Sequence, residues 1–126
     1  MEIEVPLELK NNKNKSVLEF LKPLSCHGDI IEPTYGFLEI EKEVKFFCPD
    51  SQNFKYCFWY IENSIFAFGS GMQHIGLLLP EKLNVEAISS GAVESQKTGG
   101  SWFLFPYNHI ELKKWVSLAL SSAKSS

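Results

Sequence analysis

The side chains best suited to chemistry in this chain are its three histidines and three cysteines: His27, His74 and His109, and Cys26, Cys48 and Cys57. A thiolate activated by a neighbouring imidazole is a strong nucleophile, and the same two side chains are preferred ligands of zinc. Cys26 and His27 are adjacent, so in a strand their side chains would point apart. The interval between Cys48 and Cys57 is too wide for half of a zinc knuckle. We therefore expect buried, inert thiols, with no metal and no cofactor.

Two further patterns have a chemical interpretation that the surrounding sequence does not favour. Glu39 and Glu41 would share one face of a strand, and paired carboxylates can act as general acid and base. On an alternating strand, however, such a pair more often marks the face in contact with water. Gly69 and Gly71 form half of a dinucleotide fingerprint, but the third glycine and a following helix are missing. A hairpin or bulge is the better interpretation.

Composition excludes several functional classes. The formal net charge is −3 and the lysines are scattered, apart from Lys10, Lys13 and Lys15 and the pair Lys113–Lys114. A nucleic-acid partner is therefore not expected, since phosphate binding needs a basic surface. The opening MEIEVPLELK has acidic residues where a secretory leader is basic, and no apolar run approaches a membrane span. We expect a cytoplasmic protein with no membrane partner, and the odd number of cysteines argues against a disulfide framework.

Hydrophobic periodicity predicts a single α+β domain over residues 1–126. Its antiparallel sheet has about five to seven strands, flanked by about three short helices. In the amino-terminal half we predict a strand over the first nine residues, a polar loop to residue 15, a helix over 15–24 capped by Ser16, and strands at 29–33, 35–41 and 43–48. Strands at 54–62, 65–68 and 72–80 follow, and then a helix from Pro80 to Gly91. A hairpin is predicted over 92–106, with its bend near Gly99–Gly100. The last elements are a helix capped by Asn108 and ending near Leu120, and a frayed tail over 121–126.

Aromatic residues dominate the predicted central strands, as in the stretch FWYIENSIFAFGSG at 58–71. In strand 54–62 the two alternating sets of side chains are both apolar, which predicts a sheet covered on both faces. The predicted helices can cover one face. The other could be closed within the chain, covered by a second copy in a homodimer, or form a small-molecule pocket, because a large bare aromatic patch is rare on a soluble monomer.

The carboxy-terminal half resembles the TfoX amino-terminal domain and the similar YjbR-type fold. The resemblance covers roughly residues 64–123, and its markers are Phe66-Ala67, Leu77 to Pro80, Gly91, Trp102 and Trp115. The TfoX pattern has an arginine and a double glycine before the first strand, where this chain has EPTYGFLEI. The resemblance implies a cytoplasmic α+β fold and a regulatory rather than catalytic role.

The sequence thus favours a non-catalytic cytoplasmic protein-interaction or regulatory module, with a protein partner or a second copy of itself. The alternative is a small-molecule-binding or enzymatic domain with an aromatic-lined pocket, helped by His27 or His74. No catalytic residue is assigned. The residues predicted to form the ligand or partner surface are Tyr56, Phe58, Trp59, Tyr60, His74 and Trp102.

Overall fold

The computed structural model describes residues 4–23, 28–49, 56–71, 73–95 and 101–125. Their strands are β1 (Val44–Phe47), β2 (Cys57–Ile61), β3 (Ser64–Ser70), β4 (His74–Leu78), β5 (Val93–Glu94) and β6 (Trp102–Pro106). The helices are α1 (Lys15–Leu21), α2 (Gly28–Leu38), α3 (Asn84–Ser89) and α4 (Leu112–Lys124), with short 3-10 helices at Leu7–Leu9 and Glu81–Leu83. The strands form one antiparallel sheet in the order β1-β2-β3-β4-β6-β5. The predicted α+β class is confirmed.

The central hairpins follow the sequence closely. Glu62 adopts a φ of 52° in the turn between β2 and β3, so the chain reverses within two residues there. Gly69 and Gly71 lie at the end of β3, as the hairpin interpretation predicts, and β5 pairs with β6. Gly91 ends the helical segment with a φ of 101°, a backbone conformation that glycine adopts without strain. The predicted bend at Gly99–Gly100 lies outside the described residues.

Both faces of the sheet are apolar and both are covered by the chain itself. On one face Trp59, Phe66 and Phe105 pack in a cluster that includes residues of α2, α3 and α4. On the other face the sheet residues Phe58, Phe68 and Trp102 pack against the amino-terminal residues Leu9, Val17 and Leu21. The result is three layers, with helix on each side of one sheet.

The predicted amino-terminal strand is wrong for the described residues 4–9. Leu7 is 81% exposed whereas Leu9 is fully buried, although a strand would have placed both on one face. The backbone bonds are local: Leu9 N–H donates to the carbonyl of Pro6, and Lys10 N–H donates to that of Leu7. The segment therefore turns as a 3-10 helix and enters α1.

The predicted strands at 29–33 and 35–41 are also wrong, because helix α2 includes residues 29–38 and a turn follows it. Its buried residues Ile30, Thr34 and Leu38 recur every four positions, a spacing that places them on one face of either a helix or a strand. Pro33 lies inside this helix, where proline removes a backbone hydrogen bond and costs about 3 kcal/mol. Burial of the Ile30 face against the sheet overrides that cost.

Both helix caps predicted from sequence are displaced. Helix α1 begins at Lys15, with Asn14 rather than Ser16 in the cap position. Helix α4 begins at Leu112 instead of directly after Asn108, and it continues to Lys124, beyond its predicted end at Leu120. The predicted frayed tail is thus helical up to Lys124, whose Nζ lies 3.2 Å from Glu41 and 3.3 Å from Glu43. Glu41, one member of the predicted carboxylate pair, thus forms an ion pair with a lysine of α4.

Candidate functional site

Four of the predicted surface residues are part of the core. Tyr56, Phe58, Tyr60 and Trp102 are all buried in the cluster beneath the amino-terminal layer. The structure places them as packing residues, which leaves no exposed aromatic surface on that face of the described sheet. Trp59 lies on the opposite face and His74 begins β4, so the six predicted residues are not brought together.

Trp59 instead belongs to a row of three aromatic rings that rises to the surface. The β1–β2 register pairs Phe46 with Trp59, and their ring centroids are 5.2 Å apart. Tyr35 of α2 meets Phe46 edge-on, with centroids 5.3 Å apart and an interplanar angle of 88°. The exposed fraction grows along the row, from 1% for Trp59 to 37% for Phe46 and 43% for Tyr35. Edge-on and tilted pairs such as these are favourable aromatic geometries.

The three rings line a groove of about 190 Å³ together with Leu38, Glu39 and Val44; we call it the β1 groove. Helix α2 supplies Tyr35 and Leu38, which lie three positions apart and so are neighbours on the helix surface. Glu39 directly follows the helix, and its N–H donates to the Tyr35 carbonyl at 2.9 Å. Strand β1, the first strand in the order of the described sheet, supplies Val44 and Phe46, which are two residues apart and so project to the same side. The groove thus forms where a helix passes the edge of the sheet.

The chemistry of the β1 groove suits one side chain better than a whole metabolite. Its lining side chains are three aromatic rings, two aliphatic side chains and the carboxylate of exposed Glu39, and the surface that the lining exposes is more polar than apolar. Pockets for drug-sized ligands usually measure about 300–1,000 Å³, which is more than this groove offers. An aromatic side chain, or a basic one stacked on the rings with its charge toward Glu39, fits such a lining.

A second concavity of about 440 Å³ lies between the segment leading into α3 and the end of α4. It is lined by Pro80, Lys82, Leu83, Leu118, Ser121, Ser122 and Ser125. It contains none of the predicted site residues and no aromatic ring. Its lining does not correspond to the aromatic pocket that the sequence predicts.

Catalytic pairing of cysteine and histidine finds no support in the described residues. Cys57 aligns across the ladder with Gly69 and Ile75, so His74, next to Ile75, projects from the opposite face. No group of three or more metal-ligating side chains occurs in the described ranges. Cys26 and His27 lie outside them.

His109 has a structural role that the sequence did not reveal. Its Nδ1 accepts a hydrogen bond from Glu111 N–H at 3.0 Å, and its Nε2 lies 2.6 Å from the carbonyl oxygen of Ser90. These contacts define a tautomer with the proton on Nε2, which donates to Ser90. The imidazole thereby joins the end of α3 to the start of α4, and it lies edge-on to Phe105 with centroids 5.6 Å apart.

Sequence reasoning missed Tyr35 and Phe46 for identifiable reasons. Tyr35 was placed in a strand that is a helix, which separated it from β1. Phe46 and Phe47 are adjacent aromatics in one short strand, and such neighbours must project to opposite faces. That pair was the available signal that β1 presents a ring on each side.

Comparison of the chain with protein-family models, with curated proteins and with solved structures gives no match. Among the helices of the described ranges, none combines the length and apolar character needed to cross a membrane.

Proposed function

We propose that this chain is a non-catalytic cytoplasmic protein-interaction module that binds its partner through the β1 groove. The observation that carries the proposal is the row of Trp59, Phe46 and Tyr35, whose outer rings are exposed beside the edge of the sheet. Within the described ranges both sheet faces are otherwise covered by the chain, and the large aromatic side chains that remain exposed, Tyr35 and Phe46, both line the β1 groove. The resemblance to the TfoX amino-terminal domain supports a regulatory role of the same kind.

The composition of the β1 groove matches that of protein contact sites. Tyrosine and tryptophan are enriched among residues that dominate binding energy, and they act best around a pocket that one partner side chain fills. The edge position of β1 adds backbone groups with which an extended partner segment can pair. Lysine side chains on an edge strand commonly block pairing with another chain. Lys45 is adjacent to Phe46 in β1 and therefore projects from the opposite face, away from the groove.

Selection of peptides from a displayed random library on the folded chain tests the proposal. We expect selected peptides to carry an aromatic or basic anchor and to lose at least about tenfold in affinity on Phe46→Ala and Tyr35→Ala variants, a loss of 1.4 kcal/mol or more. The matched control is Ile110→Ala, which removes a side chain that is 97% exposed elsewhere on the molecule. Binding that is insensitive to Phe46 and Tyr35 would refute the β1 groove as the site.

Sedimentation of the chain alone distinguishes the kind of partner. Self-association that is abolished by Phe46→Ala would identify the partner as a second copy of the chain. A monomer that still binds the selected peptides through Phe46 would identify a different protein as the partner. Circular dichroism confirms in each case that the variants retain the fold.

A further inference from the structure

A cysteine directly follows β1 and another begins β2: Cys48 comes after Phe47, and Cys57 is the first residue of β2. The register of β1 with β2 runs from Val44 opposite Ile61 to Phe47 opposite Phe58. Continued by one step beyond these last paired residues, the same register would set Cys48 opposite Cys57. Residues opposite each other in an antiparallel ladder share a face, with Cα atoms about 4.5 or 5.5 Å apart depending on the hydrogen bonding. Both separations lie inside the range of about 4.4–6.8 Å that a disulfide spans.

Side-chain packing also places Cys48 and Cys57 near each other, independently of the strand register. Cys57 is buried in a small cluster with Ile30 at the start of α2, and Cys48 packs against that same cluster. Both residues are thiols in this structure, Cys57 buried and Cys48 half-buried. One sulfur is thus closer to solvent and the other lies inside.

We propose that Cys48 and Cys57 form a reversible intramolecular disulfide when the protein meets a peroxide. The exposed edge of Cys48 reacts first: its thiolate attacks the peroxide, an S–O bond forms, the O–O bond breaks and one water is released. The Cys57 thiol then attacks the Cys48 sulfur, an S–S bond forms, the S–O bond breaks and a second water leaves. Two thiols supply the two electrons that reduce one peroxide, and a small-molecule dithiol reverses the reaction by exchange.

The disulfide would fasten the edge strand to the body of the sheet. Cys48 follows Phe46 by two residues, so the bridge would fix the end of the strand that carries the outer wall of the β1 groove. The inference revises the expectation of inert thiols. It does not rest on the proposed function, because the chemistry requires only the two sulfurs and the peroxide.

The experiment exposes the full chain to one equivalent of hydrogen peroxide and counts the remaining thiols after denaturation. The wild type has three thiols, and we expect one to remain. A Cys26→Ser variant, the matched control, is expected to fall from two thiols to none. Peptide mapping without reductant should recover one species in which the Cys48 peptide and the Cys57 peptide are joined. Its mass should equal the sum of the two reduced peptides minus two hydrogens.

Two single variants give the test its specificity. Cys48→Ala and Cys57→Ala should each yield no intramolecular disulfide, while circular dichroism shows that they are folded. A bridge to Cys26, a disulfide between two chains, or oxidation of Cys48 to the sulfinic acid without any bridge would each overturn the inference. Recovery of all three thiols after dithiothreitol is the expected sign of reversibility.

Discussion

The amide side chain of Asn14 accepts a hydrogen bond from the backbone N–H of Ile65 across a distance of 3.1 Å. Its nitrogen donates to the carbonyls of Leu9 at 3.0 Å and Asn63 at 2.9 Å. A single buried amide therefore joins the 3-10 segment, the turn between β2 and β3, and the first residues of β3. Asn14 is thus a polar anchor of the amino-terminal layer on the sheet, and Asn11 adds a bond from its Nδ2 to the same Asn63 carbonyl at 3.0 Å.

Replacement of Asn14 by Ala should therefore destabilise the whole fold. The substitution leaves the Ile65 N–H and the Leu9 carbonyl without the side chain that satisfies them, and each buried unsatisfied group costs about 1–3 kcal/mol. Urea unfolding measures the loss, for which we expect at least about 2 kcal/mol. The control is Asn12→Ala, at an exposed position in the same loop, with an expected change within about 0.5 kcal/mol. Equal effects of the two variants would contradict the anchoring role.

The ring of Phe68 leaves no room for a side chain at position 76, which lies opposite Phe68 in the β3–β4 ladder. A Cβ at position 76 would collide with that ring. Gly76→Ala is expected to cost about 1–3 kcal/mol in unfolding free energy through overpacking. Gly36→Ala in α2 is the matched control, because an added Cβ there meets nothing within 4 Å, and it should be neutral or stabilising by up to about 1 kcal/mol.

A double-mutant cycle checks the cause of the Gly76 effect. In a Phe68→Leu background the added methyl has more room, so Gly76→Ala should cost less than it does in the wild type. A cost that is the same in both backgrounds would show that the ring of Phe68 is not the obstacle.

Ionisation of Tyr60 is expected to lower the free energy of unfolding at alkaline pH. Burial, together with the negative charge of Glu8, raises the pKa of this phenol above its ordinary value. The folded protein therefore retains the proton more tightly than the unfolded chain, and this contribution to stability is complete below the ordinary tyrosine pKa of about 10. It decreases as the pH rises through the higher pKa of the folded state.

Urea unfolding between about pH 9 and 11 tests this prediction. Tyr60→Phe should flatten the decrease in unfolding free energy over that range, since it removes the ionising group. Glu8→Gln should flatten it partly, because it removes the second cause of the shift and leaves burial. A Tyr60→Phe profile that parallels the wild type would assign the alkaline loss to other groups.

His109, rather than Asn108, is expected to stabilise the start of α4. His109→Ala removes the hydrogen bonds to Glu111 and Ser90, and the expected cost is about 1–3 kcal/mol. Asn108→Ala is the control, since Asn108 is the residue that the sequence pattern marks as the cap. We expect Asn108→Ala to change the unfolding free energy by less than about 0.5 kcal/mol, and a larger effect would support Asn108 as the helix cap that the sequence predicts.

The strands were predictable because their signals are local. The run of aromatics around Trp59 and the turn residues Glu62 and Asn63 define a hairpin whose contacts lie close along the chain. Helix α2 was not predictable in the same way. The spacing of Ile30, Thr34 and Leu38 fits either periodicity, and only packing against Cys57 and its neighbours decides in favour of a helix that contains Pro33.

The candidate site was predictable only in part. Trp59 was named from sequence, and two apolar sheet faces were correctly inferred from the strand that contains it. Its neighbours in the β1 groove, Tyr35 and Phe46, depend on a helix packing beside an edge strand, which is a tertiary relationship. The roles of Asn14 and His109 likewise arise from contacts between distant segments, for which a single sequence carries no local signal.

The layer made by residues 4–21 imposes an order on biosynthesis. Val17 and Leu21 leave the ribosome early, yet their partner Trp102 belongs to β6 and emerges only after most of the chain. Until β6 is synthesised, the hydrophobic face of α1 cannot be fully buried against the sheet. Exposed hydrophobic surface of this kind makes nascent chains prone to aggregation and to chaperone binding. Closure of the amino-terminal layer over the sheet is consequently a long-range step that follows the synthesis of β6.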